Sequence, residues 1–154
     1  MRFTRPILSG LAGAAILATA ATAQDVNPAV AARKAHMTLY AHNLGLLGGM
    51  ARGNIEYDAE TATAAAASLA ALSKLDQSRY WPEGTDSDTL METRALPDIW
   101  EDLPKVVEIS GTLVSASDVL AAEAGNGLEA LRASLGPVGQ ACGACHEDFR
   151  VSDD

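Results

Sequence analysis

The only two cysteines of this chain stand three residues apart in Cys142-Gly143-Ala144-Cys145-His146, and a histidine directly follows the second. Two thiols at that spacing lie on one face of a helical turn and can add to the two vinyl groups of one porphyrin, forming thioether bonds. The histidine, four residues after Cys142, is then carried beneath the iron, where an imidazole is a good axial ligand. Three other chemistries use the same residue types. A structural disulfide would close so short a loop that it restrains the unfolded chain little, and it leaves His146 unexplained. A haem-free dithiol, working as a thiol-disulfide oxidoreductase, expects strands alternating with helices. A structural zinc site needs four ligands, and the chain offers Cys142, Cys145, His146 and a distant His36 or His42. The motif favours one covalent haem c per chain, attached through Cys142 and Cys145 with His146 on the metal.

A haem pentapeptide needs a helix to present it and others to enclose the ring. At 154 residues, 48% hydrophobic and only 5% aromatic, the chain has material for one compact core. Its abundant alanine and helical spacing of apolar residues point to an all-α class. Asn27-Pro28 reads as a helix start, with Val30, Arg33, Met37, Tyr40, Leu44, Leu47 and Ala51 recurring as a seam. Arg33 is the one charge on that seam. Asp58 can cap a second helix carrying Ala62, Ala65, Leu69, Leu72 and Leu75. Residues 76–96 lose the pattern and form a connection too long for a plain turn, of the kind that covers something. A third helix is expected from Pro97-Asp98 through Trp100 to about Leu120, bent at Pro104, until Gly125-Asn126-Gly127 stops it. A fourth is expected from Leu128, interrupted at Gly136-Pro137 and resuming to about Val151. Four helices with mostly short links imply an antiparallel up-and-down four-helix bundle.

The N-terminus carries an address. Arg2 and Arg5 precede the apolar stretch Ile7–Ala20, and Ala21-Thr22-Ala23 supplies the small residues of a cleavage site. Residues 1–23 therefore read as a signal peptide and 24–154 as the haem domain, placed in the periplasm. A retained anchor is disfavoured because Ser9, Gly10, Gly13 and Thr19 dilute the run. The full chain has 20 acidic and 11 basic residues, net -9. Loss of Arg2 and Arg5 makes the mature product more anionic still. Such a surface excludes nucleic acid as a partner.

With the pentapeptide near the end of a four-helix chain, the sequence resembles the cytochrome c' family, the class II c-type cytochromes. The resemblance runs from Val30-Ala31-Ala32-Arg33 through Gly53-Asn54-Ile55-Glu56-Tyr57-Asp58-Ala59, Trp81-Pro82-Glu83-Gly84-Thr85 and Thr93-Arg94-Ala95-Leu96-Pro97-Asp98-Ile99-Trp100 to Cys142–Arg150. It implies that Cys142 and Cys145 are the thioether attachments and His146 the proximal ligand. Arg150 matches a basic residue beside the proximal haem face, its alternative being a helix-end arginine that meets the dipole. Arg33 matches a first-helix arginine that meets a haem propionate, its alternative being a stem that packs while the guanidinium reaches water. Lys34 is placed at the same rim. Met37 matches the distal residue that blocks the sixth iron position, leaving high-spin, five-coordinate haem. Its thioether also allows a low-spin, six-coordinate electron carrier with Met37 as ligand. His36, about 100° round the helix from Met37, and His42 are read as surface histidines. Trp81, Thr93 and Arg94 are expected along the haem edge, and Trp100 in the core.

The resemblance implies a protein that binds NO and CO at its distal face and passes single electrons to an unidentified redox partner. No nucleophile-base pair accompanies the motif, so an enzyme with its own substrate pocket is not expected. Homodimerisation through the first two helices is implied as well, with Leu46, Leu47, Gly48, Gly49 and the alanine-rich second helix as its surface.

Overall fold

Asn27 opens the first helix as its neighbours predict. Its side-chain oxygen accepts from the amides of Ala29 and Val30 at 3.0 and 3.4 Å, and Pro28 takes the first helical position. The computed structural model describes residues 26–152, so the signal segment lies outside the described residues. Helix α1 (Pro28–Ala51) ends where Gly53 adopts a φ of 76° and the amides of Asn54 and Ile55 return to the Gly49 carbonyl. Asp58 caps α2 (Ala59–Ser73) through the Thr61 amide at 2.7 Å. Leu75, expected on that helix, lies beyond its end and is exposed.

The expected third helix is two. A single turn, α3 (Asp98–Glu101), stops at Asp102, and α4 (Leu103–Glu123) starts afresh. Pro104 therefore begins a helix instead of bending one. It has no amide to give to a preceding turn, and in the first turn of α4 such an amide would have no intrahelical acceptor. Asp102 caps the new start through the Lys105 amide at 3.2 Å.

Helix α5 (Leu128–Phe149) departs from expectation in the opposite sense, running unbroken through Pro137. Gly136 and Pro137 are exposed, while Leu131, Ser134, Val138 and Ala141 share one buried stripe on either side of them. The missing hydrogen bond thus falls on the solvent side, and Gly136 has no Cβ for the proline ring to meet. Packing of the buried stripe holds the two halves in one helix.

The four long helices alternate in direction. Each packs on the next, α1 on α2, α2 on α4 and α4 on α5, and α1 closes the square against α5. Small residues on α2, Ala62, Ala65, Ala66 and Ala70, are buried and let the helices approach closely. The sealed core, with Leu47, Met50, Leu69, Leu120, Leu131 and Val138, occupies the middle of the bundle and one end. There Tyr57 ties the α4–α5 turn together, donating to the Ala124 carbonyl at 2.9 Å and accepting from the Gly127 amide at 3.0 Å. Gly127 adopts a φ of 117°. Among the described residues there is no strand and no helix long and apolar enough to cross a membrane. A single antiparallel bridge joins Ala95 to Arg150.

Candidate functional site

The other end of the bundle brings together the start of α1, the start of α4, the end of α5 and the long connection. On α5, Cys142 and Cys145 are free, half-buried thiols, and Cys142 packs against the core. Burial pushes both thiols above their ordinary range, with the neighbouring Cys142 and Asp148 adding to the effect at Cys145. This is the opposite of the lowered pKa that marks the reactive cysteine of a dithiol oxidoreductase. His146 follows on the exposed side of the same turn. Among the described residues no three potential ligands gather into a metal-binding cluster.

Apolar side chains at this end are unusually uncovered. Met37 on α1 is 40% exposed, and Leu103 and Val107 on α4 are 51% and 68% exposed, whereas at the far end of these helices Leu47, Met50 and Leu120 are sealed and, of the large apolar side chains, only Val119 of α4 is uncovered. Tyr40, one turn after Met37, is buried with no partner for its hydroxyl. Burial raises its pKa to about 12, helped by the nearby Cys142 sulfur. Two thiols, an adjacent imidazole and uncovered apolar surface on facing helices fit a flat, apolar ring attached to α5.

The connection is built around Arg33, which is 4% exposed. Its Nη1 donates to the Tyr80 carbonyl at 3.3 Å and to Thr85 Oγ1 at 2.8 Å. Its Nη2 donates to the Thr85 carbonyl and, at 2.8 Å, to Thr93 Oγ1. The guanidinium also lies over the Trp81 ring, 4.9 Å from the centroid. Burial lowers its pKa from the ordinary arginine value, and Asp86 acts against that. These four bonds use four of its five N–H donors. The guanidinium does not reach out to water, and the sequence alternative of a packed stem with a solvated head is overturned.

His36 is corrected as well. It is 4% exposed rather than a surface histidine, because its ring lies on Tyr40 at 4.7 Å, faces Tyr80 edge-on at 5.9 Å and meets the Leu72 carbonyl near the end of α2. Nε2 stands 3.1 Å from that carbonyl, which can only accept, so Nε2 donates there, and Nδ1 has no partner. Burial lowers its pKa, against the opposing effect of the carbonyl. His42 is exposed.

The remaining expected residues gather at the same end. Lys34 is exposed, with Nζ 3.4 Å from the Glu92 carbonyl. Trp81 is half-buried and edge-on to Trp100, whose Nε1 donates to the Trp81 carbonyl at 3.0 Å. Trp100 therefore pins the connection and is only half-buried, not a core aromatic. Thr93 is buried under Arg33. Arg94 donates to the Val151 carbonyl at 2.5 Å. Arg150 is no longer helical: it caps α5 in extended conformation (φ -131°, ψ 136°) and pairs with Ala95. Thr85 and Tyr80 were given no role by the sequence, since their importance comes from lying under a side chain some fifty residues earlier.

The surface expected to join two copies is corrected in part: Leu47, Gly48 and Gly49 are buried within the chain itself, where α1 turns toward α2, whereas Leu46 is half-buried and Ala64 and Ala67 of α2 are exposed. The outer α1–α2 face presents a shallow apolar groove of about 330 Å³ lined by Leu39, Asn43, Ser68, Ala71, Leu72 and Leu75.

Comparison with known proteins agrees with this arrangement. The family model for cytochrome c' matches residues 28–150. Cytochrome c-554 of Cereibacter sphaeroides is 36% identical over 152 residues, covering 97% of this chain and 99% of the relative. Cytochrome c' of the same organism is 39% identical over 137 residues, covering 89% and 92%. Among solved structures, cytochrome c' from Rhodobacter sphaeroides superimposes with a TM-score of 0.79 at 38% identity, over 81% of this chain and 96% of that one. A cytochrome c' with ligand-controlled dimer dissociation gives 0.73 at 28% identity, over 82% and 98%. A carbon monoxide-bound variant of the Alcaligenes xylosoxidans cytochrome c' gives 0.70 at 30% identity, over 80% and 94%. A four-helix bundle with its paired cysteines on the last helix, matched along nearly all of its described length, thus places this chain in the cytochrome c' family of haem c proteins.

Proposed function

We propose that the chain is an exported, periplasmic haem protein that binds NO and CO at a high-spin, five-coordinate iron and transfers single electrons. Residues 1–23 serve as its signal peptide and 24–154 as its haem domain. Bound haem c supplies an iron that changes oxidation state by one electron and accepts a small diatomic ligand. The chain does the rest. Cys142 and Cys145 hold the ring, and His146 presents its imidazole to the iron. Met37 stands on the distal side and excludes larger ligands. Arg33 offers a propionate its remaining Nε–H while its other donors hold the connection, and Lys34 adds a second positive charge. Trp81 covers one face of the ring, Thr93 and Arg94 line its rim, and Arg150 shields the proximal face. The reading is of a carrier, not of an enzyme, and its redox partner is a separate protein.

The observation that carries the reading is the uncovered Met37, a thioether side chain on the seam of α1 at the same end of the bundle as Cys142 and His146. The carbon monoxide complex of a structural neighbour supports a gaseous ligand, and the ligand-controlled dimer of another supports a homodimer. The optical spectrum of the purified exported protein tests it. High-spin bands are expected. Low-spin bands with a sulfur-to-iron feature would replace this reading by a six-coordinate carrier with Met37 as ligand, and a mass equal to the bare polypeptide would end both.

A further inference from the structure

The connection between α2 and α3 is fastened at two places that belong to different sides of the site. On α1 its anchor is Arg33, whose four hydrogen bonds gather Tyr80, Thr85 and Thr93 from both arms of the loop. The Asn27 amide and Lys34 add lesser contacts to Glu92 at 3.5 and 3.4 Å. At the other end the chain runs antiparallel to the tail of α5. The Leu96 amide donates to the Phe149 carbonyl at 3.0 Å and the Val151 amide to the Arg94 carbonyl at 2.9 Å. Between the anchors the Ser87 amide donates to the Ala95 carbonyl at 2.7 Å, closing the loop on itself. Asp86 makes a second internal lock, its carboxylate accepting from the amides of Asp88 and Thr89 at 3.0 and 2.9 Å.

We propose that Arg33 is a positioning residue that locks residues 80–96 as a strap tying the helix that bears Met37 to the end of the helix that bears His146. The Arg33 seam position is one turn before Met37, and the tail pairing begins three residues after His146. A guanidinium buried with four acceptors cannot let go of the strap without leaving a buried cation unpaired. Loosening one anchor therefore frees the strap to move at the other, while an intact strap resists separation of α1 from the end of α5. Because ligand entry must displace Met37, the strap sets how readily the distal side opens.

The inference rests on the placement of Met37 and His146 on opposite sides of the haem, and its test separates the two. Amide hydrogen exchange of the haem-bearing protein is compared between the unsubstituted chain, Arg33→Lys and Thr85→Val. The lysine keeps the charge but loses the planar fork. The valine removes one acceptor of the lock and leaves Arg33 and its charge in place. In both, exchange at the Ser87 amide is expected to rise about tenfold or more, and the Leu96 and Val151 amides, which Arg33 does not touch, are expected to rise with it. The CO binding rate at equal haem content is expected to increase in both variants, and an unchanged rate in both would overturn the link to the distal side. Faster exchange confined to Ser87, with Leu96 and Val151 unchanged in both variants, would overturn the strap. A low-spin spectrum of the unsubstituted protein would overturn the reading of Met37 and leave the exchange result to judge the lock alone.

Discussion

Met37 and Tyr40 share the inner side of α1, one exposed and one buried, and each makes a distinct forecast. A plug acts by volume, so Met37→Leu should leave the high-spin spectrum unchanged, whereas Met37→Gly should speed CO binding by an order of magnitude or more at equal haem content, read by stopped flow. Tyr40 is favoured neutral in the fold, its pKa raised to about 12 by burial and by Cys142. Once Cys142 is a thioether it carries no charge, and burial remains. The unfolded chain deprotonates near pH 10, so this contribution is fully present below that value and is lost as the pH rises toward 12. The alkaline fall in melting temperature between pH 10 and 12 should therefore be shallower in Tyr40→Phe. His36 works in the opposite direction. Its folded pKa is depressed by burial, so stability is present above about pH 6.5 and declines as the pH falls below it. The groups facing it are the Tyr40 and Tyr80 rings and the Leu72 carbonyl, and none offers Nδ1 an acceptor. Thermal melts from pH 7.5 to 5 should show this decline, and His36→Gln should flatten it.

At the scale of elements, the starts of helices are governed by a few neighbouring atoms and can be read locally. Asn27-Pro28 and Asp58 cap the helices that their sequence announces. The spacing of Cys142 and Cys145 likewise needs only one helical turn to state its chemistry. What eludes local reading depends on partners distant in sequence. Pro137 reads as a break, but the buried stripe through Val138 and Ala141 packs on neighbouring helices and carries α5 across it. His36 reads as polar surface until the Leu72 carbonyl and two tyrosine rings close around it. Arg33 is recognisable as an exception on an apolar seam, yet its partners Thr85 and Thr93 emerge only when the connection folds back. The same dependence makes Tyr57 a test of element packing. Tyr57→Phe leaves the Ala124 carbonyl and the Gly127 amide without their partner and should cost about 1–3 kcal/mol by urea unfolding, with the haem spectrum unchanged.

The molecule as a whole divides its labour between its ends. One end is sealed by Leu47, Met50, Leu120 and Leu131, and the other trades that seal for uncovered apolar side chains beside the paired cysteines. Bound haem should therefore contribute to stability by covering Leu103 and Val107, and the melting temperature of Cys142→Ser/Cys145→Ser protein lacking haem should fall by 10 °C or more, on the order of a few kcal/mol for a chain of this size. For the proposed homodimer, the outer α1–α2 face is the expected contact. Leu39→Asp and Leu75→Asp, both at exposed positions, should shift the mature protein from dimer to monomer in sedimentation without altering its spectrum. The Ala95–Arg150 bridge closes a belt around the cofactor end, and its outer half lies only five residues beyond Cys145. Protein that has not yet folded the connection back onto the end of α5 should therefore offer its two thiols to the porphyrin with the belt still open.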